Sequence, residues 1–122
     1  MEYYKADITQ KIIKCAFKVH NNIGNGFQEL IYQRALAYEF AKENLIFERE
    51  KEMDIYYDNI KIGNRRVDFL VDNDIMVELK AVTELERVHV AQTMNYIETY
   101  RVKIGLLINF GNRRVDVRRF IK

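Results

Sequence analysis

The chain has 122 residues, a formal net charge of +2, 48% hydrophobic and 31% charged residues, a composition that excludes intrinsic disorder and fits one folded domain, residues 1–122, with a real core. So small a net charge does not itself imply a nucleic-acid partner, so any basic footprint has to be local. A single cysteine, Cys15, excludes an internal disulfide and points to a reducing cytoplasm; with only two histidines a structural zinc site is not expected, nor is a membrane span or a signal peptide.

Asp7-Ile8-Thr9-Gln10 reads as a capping box with Asp7 as N-cap. Ile8, Ile12, Cys15, Ala16, Val19 and Ile23 then recur every three or four residues, which predicts an amphipathic helix closed by Gly24. Cys15 lies on that stripe and reads as core rather than as a nucleophile. His20, near the end of the helix, is either structural or a neighbour of the Glu29 region. A second helix is expected from about Gln28 to Glu43, with Leu30, Ile31, Ala35, Tyr38 and Ala41 supplying most of its apolar side. Glu29 falls in its first turn, where a carboxylate complements the helix dipole, and Tyr32 shares that face.

Leu45 to Tyr57 contains a strand, Asp58-Asn59 a turn, and Lys61 to Val71 the next strand, with Gly63 marking a bulge or a close approach. The chain from Arg65 to Lys80 is the centre of the pattern: two apolar runs flank Asp72-Asn73-Asp74, the signature of a β-hairpin. Folded symmetrically about Asn73, it sets Asp68 across from Glu78 and Arg66 across from Lys80, all on one face. Val67, Phe69, Val71, Ile75, Val77 and Leu79 fall on the other face, as core. Opposed carboxylates repel and call for a cation or a shared proton; a divalent ion with oxygen ligands such as Mg²⁺ suits them, and Lys80 beside them suits a phosphate or a water.

Thr83-Glu84-Leu85-Glu86 is a second capping-box candidate, opening a helix to about Tyr100 with Val88, Ala91, Gln92, Asn95, Tyr96 and Thr99 along one side. A polar residue on a packed face needs a partner, so Gln92 makes either a structural or a functional hydrogen bond. Ile104 to Asn109 reads as a strand buried on both faces and, after a right-handed crossover, parallel to the Glu78 strand. Val115 to Ile121 reads as a last strand, with Arg114, Asp116, Arg118 and Phe120 on one side. Arg113, Arg114, Arg118, Arg119 and Lys122 are the densest basic cluster, either a charged sheet edge or a nucleic-acid footprint.

Asp68 followed by Glu78-Leu79-Lys80 resembles the D-(x)n-E-x-K core of the PD-(D/E)XK nuclease superfamily, with Val67 where the name has Pro. Gly26-Phe27-Gln28-Glu29-Leu30-Ile31-Tyr32 matches the G-x-x-E-x-x-Y signature of one small family within it, and Gln92 to Tyr96 resembles the Q-x-x-x-Y element of its RecB-like branches. The resemblance implies a restriction-endonuclease-like α/β fold: an αβββαβ core, a mixed β-sheet flanked by helices, here with an extra N-terminal helix. It implies a Mg²⁺- or Mn²⁺-dependent nuclease cleaving phosphodiester bonds, with DNA as the first choice of substrate. In it Asp68, Glu78 and the Leu79 carbonyl hold the metal, Glu29 supports it, Lys80 orients water or stabilises the transition state, and Gln92 positions substrate or Lys80. Tyr96, Arg66, Arg114 and Arg118 are the expected nucleic-acid contacts. A homodimer fits the expectation, as does the alternative of a non-catalytic nucleic-acid-binding or protein-interaction module that kept the fold.

Overall fold

The computed structural model describes residues 4–122. Two helices, α1 (Ala6–Ile23) and α2 (Glu29–Lys42), precede three antiparallel strands, β1 (Phe47–Tyr57), β2 (Ile60–Val71) and β3 (Ile75–Lys80). Helix α3 (Arg87–Tyr100) crosses over to β4 (Ile104–Asn109), and β5 (Asp116–Ile121) closes the sheet in the order β1-β2-β3-β4-β5. Strand β4 runs parallel to β3, as the crossover requires, and β5 antiparallel to β4. This is the mixed sheet flanked by helices that the sequence pattern implies.

The central strands are buried on both faces, so each face has its own core. Ile12, Cys15, Ala16 and Val19 of α1 and Tyr32, Leu36 and Phe40 of α2 pack on Phe69, Val71, Ile75, Val77, Leu79, Leu106 and Ile108. On the other face Ile97 of α3 packs with Val67, Leu70, Met76 and Val102. Gly105 is required under α3, because a Cβ there would run into Ile97. Gly111 is required because a Cβ would collide with the backbone of Ala81 and Val82.

Four local expectations are corrected. Helix α1 starts at Ala6 with Lys5 as N-cap in the left-handed region, and Asp7 does not cap it. Lys5 is placed instead by ion pairs to Asp72 at 2.7 Å and Asp74 at 3.0 Å in the β2–β3 turn. The apolar side assigned to α2 is largely the wrong one: Tyr32, Leu36 and Phe40 are buried, whereas Leu30, Ile31 and Tyr38 are 43%, 38% and 66% exposed. Helix α3 starts later than expected, with Glu86 as N-cap boxed by His89, and it buries Thr93 and Ile97 rather than the side of Val88, Asn95 and Thr99. Arg114 precedes β5, in the turn after β4, so it does not share a strand face with Arg118.

Candidate active site

Strands β2 and β3 pair as a hairpin centred on Asn73, with Val71 opposite Ile75, Leu70 opposite Met76 and Phe69 opposite Val77. The next pair in that register is Asp68 with Glu78. There the main-chain ladder stops and side chains take over. The Asp68 N–H donates to Glu78 Oε1 at 3.0 Å, and the Leu79 N–H donates to Asp68 Oδ2 at 2.8 Å. Each carboxylate thus stands where a carbonyl of the partner strand would be.

The other neighbour of β2 is irregular at the same point. Arg49 pairs with Phe69 and Lys51 with Val67, while Glu50 between them is in the left-handed region at φ 53°. The side-chain alternation of β2 therefore breaks at Asp68. Val67 packs towards α3, although the regular pattern puts it with Phe69 towards α1 and α2. Asp68 turns to α2, where Gln33 Nε2 donates to its Oδ1 at 2.8 Å. Alternation along β3 sets Glu78 and Lys80 with Met76 on the α3 side. The one-face hairpin is thus corrected: the carboxylates meet through the gap where the strands part, not across a flat ladder.

Glu78 is 6% exposed. Burial, and then repulsion from Asp68, push its carboxyl up to about 8, against the pull of the Asp68 N–H, Lys80 and Arg65. Burial also raises Asp68, opposed by its bonds from Leu79 and Gln33. Glu29 sits at the exposed rim, in the first turn of α2. The protein bulk around its carboxyl raises it, Lys80 pulls it down and Asp68 pushes it up. Glu29, Asp68, Glu78 and Lys80 are therefore electrostatic neighbours: Glu29 feels Lys80 and Asp68, and Glu78 feels Asp68 and Lys80.

The local sequence explains how Glu29 gets there. Gly26 is at φ 107°, a conformation that favours glycine. Tyr32 donates from Oη to the Gly24 carbonyl at 2.6 Å, accepts from the Phe27 N–H at 3.3 Å, and stacks on Phe110 with ring centroids 4.6 Å apart. The tyrosine of the G-x-x-E-x-x-Y stretch thus locks the loop from which Glu29 emerges. His20 donates from Nε2 to the Asn112 carbonyl at 2.9 Å and stacks on Phe110, which makes it structural. Behind Lys80, the Asn109 side chain clamps both backbone groups of Val82, at 3.0 and 2.9 Å.

Gln92 is half-buried on α3 and its side chain makes no hydrogen bond among the described residues. Tyr96 lies beneath the Arg65 guanidinium, 5.1 Å from its ring centroid; burial raises its hydroxyl, Arg65 opposes this and Glu78 adds to it. Arg66 is exposed opposite Glu52 on the β1–β2 ribbon. Glu78, Leu107 and Arg118 form one row across β3, β4 and β5, so Arg118 stands about two strand spacings, ~10 Å, from Glu78. Its guanidinium is held by Asp116 at 2.9 and 3.0 Å. Arg114 lies in the β4–β5 turn, at the sheet end that also carries Lys80. Sequence reasoning missed Gln33; its only local signal is its place four residues after Glu29, on the same helix face.

Among the described residues no three His, Cys, Asp or Glu side chains form a ready-made metal cage. The donor chemistry nonetheless fits a hard divalent cation: two close carboxylates of raised proton affinity, oxygen ligands only, and free lone pairs on both. Mg²⁺ is commonly held by one or two carboxylates, with water and phosphate completing its shell.

A mixed five-stranded sheet flanked by helices, with Asp68 and Glu78-Leu79-Lys80 on adjoining central strands, defines an α/β domain with an acidic hairpin at its centre. A sequence model of the PD-(D/E)XK nuclease superfamily matches residues 6–120, and the chain belongs to that superfamily. The crystal structure of SSO0001 is similar in fold, with a TM-score of 0.51 at 14% identity, covering 98% of this chain and 80% of that one. No protein of curated function matches the sequence. Among the described residues no helix is long and apolar enough to cross a membrane.

Proposed function

We propose that the protein is a metal-dependent nuclease of the G-x-x-E-x-x-Y branch that hydrolyses phosphodiester bonds, with DNA as its substrate. The observation that carries this reading is the convergence of Glu29, Asp68, Glu78 and Lys80 on the gap between β2 and β3, with Glu78 buried against a second carboxylate. Such a pair is unfavourable as it stands and is relieved by a cation.

Asp68, Glu78 and the main-chain carbonyl of Leu79 would hold Mg²⁺ or Mn²⁺, with Glu29 reaching it directly or through water. Bound there, such an ion lowers the pKa of a water and offsets charge on the scissile phosphate. Lys80 contributes a fixed positive charge beside the reacting phosphate and orients the water. Gln92 would position substrate or Lys80, and Tyr96, beneath the Arg65 guanidinium, would contact the nucleic acid.

The test is cleavage of a short duplex and a short single strand in Mg²⁺ and in Mn²⁺, with Glu78→Gln and Lys80→Ala beside the wild type. Cleavage of DNA that needs the metal and is lost in both variants is expected. Metal-independent cleavage, or full activity in Glu78→Gln, would defeat the reading. The alternative of a non-catalytic binding module draws on each carboxylate accepting a backbone N–H bond, a structural use of the pair; it predicts nucleic-acid binding with no metal uptake and no cleavage.

A further inference from the structure

Gln33 is 4% exposed, on the inner face of α2. Its Nε2 donates to Asp68 Oδ1 at 2.8 Å. An ionised carboxylate only accepts, so this contact fixes which end of the amide faces Asp68. The other end, Oε1, is buried and has no hydrogen-bond partner among the described residues. A buried acceptor left unpaired costs about 1–3 kcal/mol, and a leucine of similar size would avoid that cost. Tyr32, Leu36 and Phe40 on the same face show that α2 packs well with apolar residues. A glutamine here is therefore poorly explained by stability.

Its chemistry is better explained by Asp68. A carboxylate offers about four lone pairs. The Leu79 N–H and Gln33 Nε2 occupy one on each oxygen and leave one on each oxygen open. Two donors from two elements, β3 and α2, hold the carboxyl plane against rotation. The same amide lies one helical turn from Glu29, which is exposed to solvent at the start of α2.

We propose that Gln33 is a positioning residue of the site: its Nε2 sets the orientation in which Asp68 meets a divalent cation, and its Oε1 accepts a hydrogen bond from a water in the cleft. The proposal rests on the nuclease reading above. Outer-shell partners of metal-binding carboxylates typically contribute 10–100-fold to metal affinity or activity.

The experiment uses the full chain, Gln33→Met and Gln33→Leu, with calorimetric titration of Mn²⁺ alone, thermal melts, and steady-state cleavage split into kcat and KM. Folded variants should bind Mn²⁺ about 10–100-fold more weakly and lose kcat with little change in KM. Wild-type Mn²⁺ affinity and kcat in a folded variant overturn the proposal and leave the nuclease reading standing. A rise in KM alone would make Gln33 a substrate contact, and both variants melting far below the wild type would make it a core residue; either overturns the proposal. A wild type that neither binds Mn²⁺ nor cleaves overturns both readings together.

Discussion

Glu78 is the residue on which folding and function oppose each other. Its carboxyl is held at about 8, well above its ordinary 4.5, chiefly by burial. Between those two values the folded chain binds more protons at this group than the unfolded chain. The slope of unfolding free energy with pH is then negative, so the metal-free protein loses stability as pH rises from about 4.5 to about 8. In Glu78→Gln this contribution disappears, while Oε1 can still accept from the Asp68 N–H. Melts of the metal-free proteins from pH 5 to pH 8 should show a falling curve for wild type and a flatter one for the variant; parallel curves would mean that Glu78 ionises normally. Tyr32 is the structural counterpart. Tyr32→Phe keeps the stack on Phe110 but leaves the Gly24 carbonyl without its donor, at a cost of about 1–2 kcal/mol in denaturant unfolding. An unchanged midpoint would show that the hydroxyl does not hold the loop. Glu29 and Tyr32 were both visible in the sequence as motif letters, yet their difference was not: spacing puts them on one helix face, and only the bond to Gly24 and the stack on Phe110 make Tyr32 a lock on the loop.

Elements were legible where burial on both faces or a turn left one solution. The apolar run Ile104–Asn109 could only be a central strand, and Asp72-Asn73-Asp74 between apolar runs set the register of β2 and β3. Helix α2 was harder, because both of its sides carry large apolar residues; contact of Phe40 with Phe47 and Phe69 decides the matter, and that contact is tertiary. The start of α1 was misread for a like reason, since Lys5 is held by Asp72 and Asp74, far away in sequence. The break in alternation at Asp68 has no sequence signal beyond Val67 and Phe69 both being apolar. Docking of α3 on β4 gives a test at this scale. Gly105→Ala would press on the Ile97 side chain and cost about 1–3 kcal/mol. Ile97→Val removes the offending Cδ1, so the double variant should lose less than the sum of the two singles. Strict additivity would mean that α3 shifts as a body rather than yielding at Ile97.

At the scale of the molecule, the charge is close to neutral, so affinity for a polyanion has to come from where the cations sit. The parallel pairing of β3 with β4 and the return of β5 bring Lys80, Asn109 and Asp116 to one end of the sheet. The β4–β5 turn at that end carries Arg113 and Arg114, and Arg118 lies in the row of Glu78. This corrects the expectation of a two-arginine face on β5: Arg114 is at the Lys80 end of the sheet and Arg118 is in the Glu78 row. They differ in what binding would require of them. Arg114 is exposed in a turn, whereas Arg118 must exchange its two-pronged contact with Asp116 for a phosphate. Exposed pairs of this kind contribute little, so Asp116 weakens Arg118 as a phosphate ligand without abolishing it. Binding to a short duplex should therefore fall in both Arg114→Ala and Arg118→Ala, with each lost phosphate contact lowering the slope of log affinity against log salt by about 0.9. Asp116→Asn should act in the opposite direction, strengthening binding at low salt by freeing the Arg118 guanidinium. Turnover at saturating substrate should stay near wild type in all three, since none of them touches the carboxylate pair. Unchanged salt slopes in both arginine variants would assign this end of the sheet to a solvated edge, and an Asp116→Asn variant that binds no better would show that Arg118 does not reach the nucleic acid.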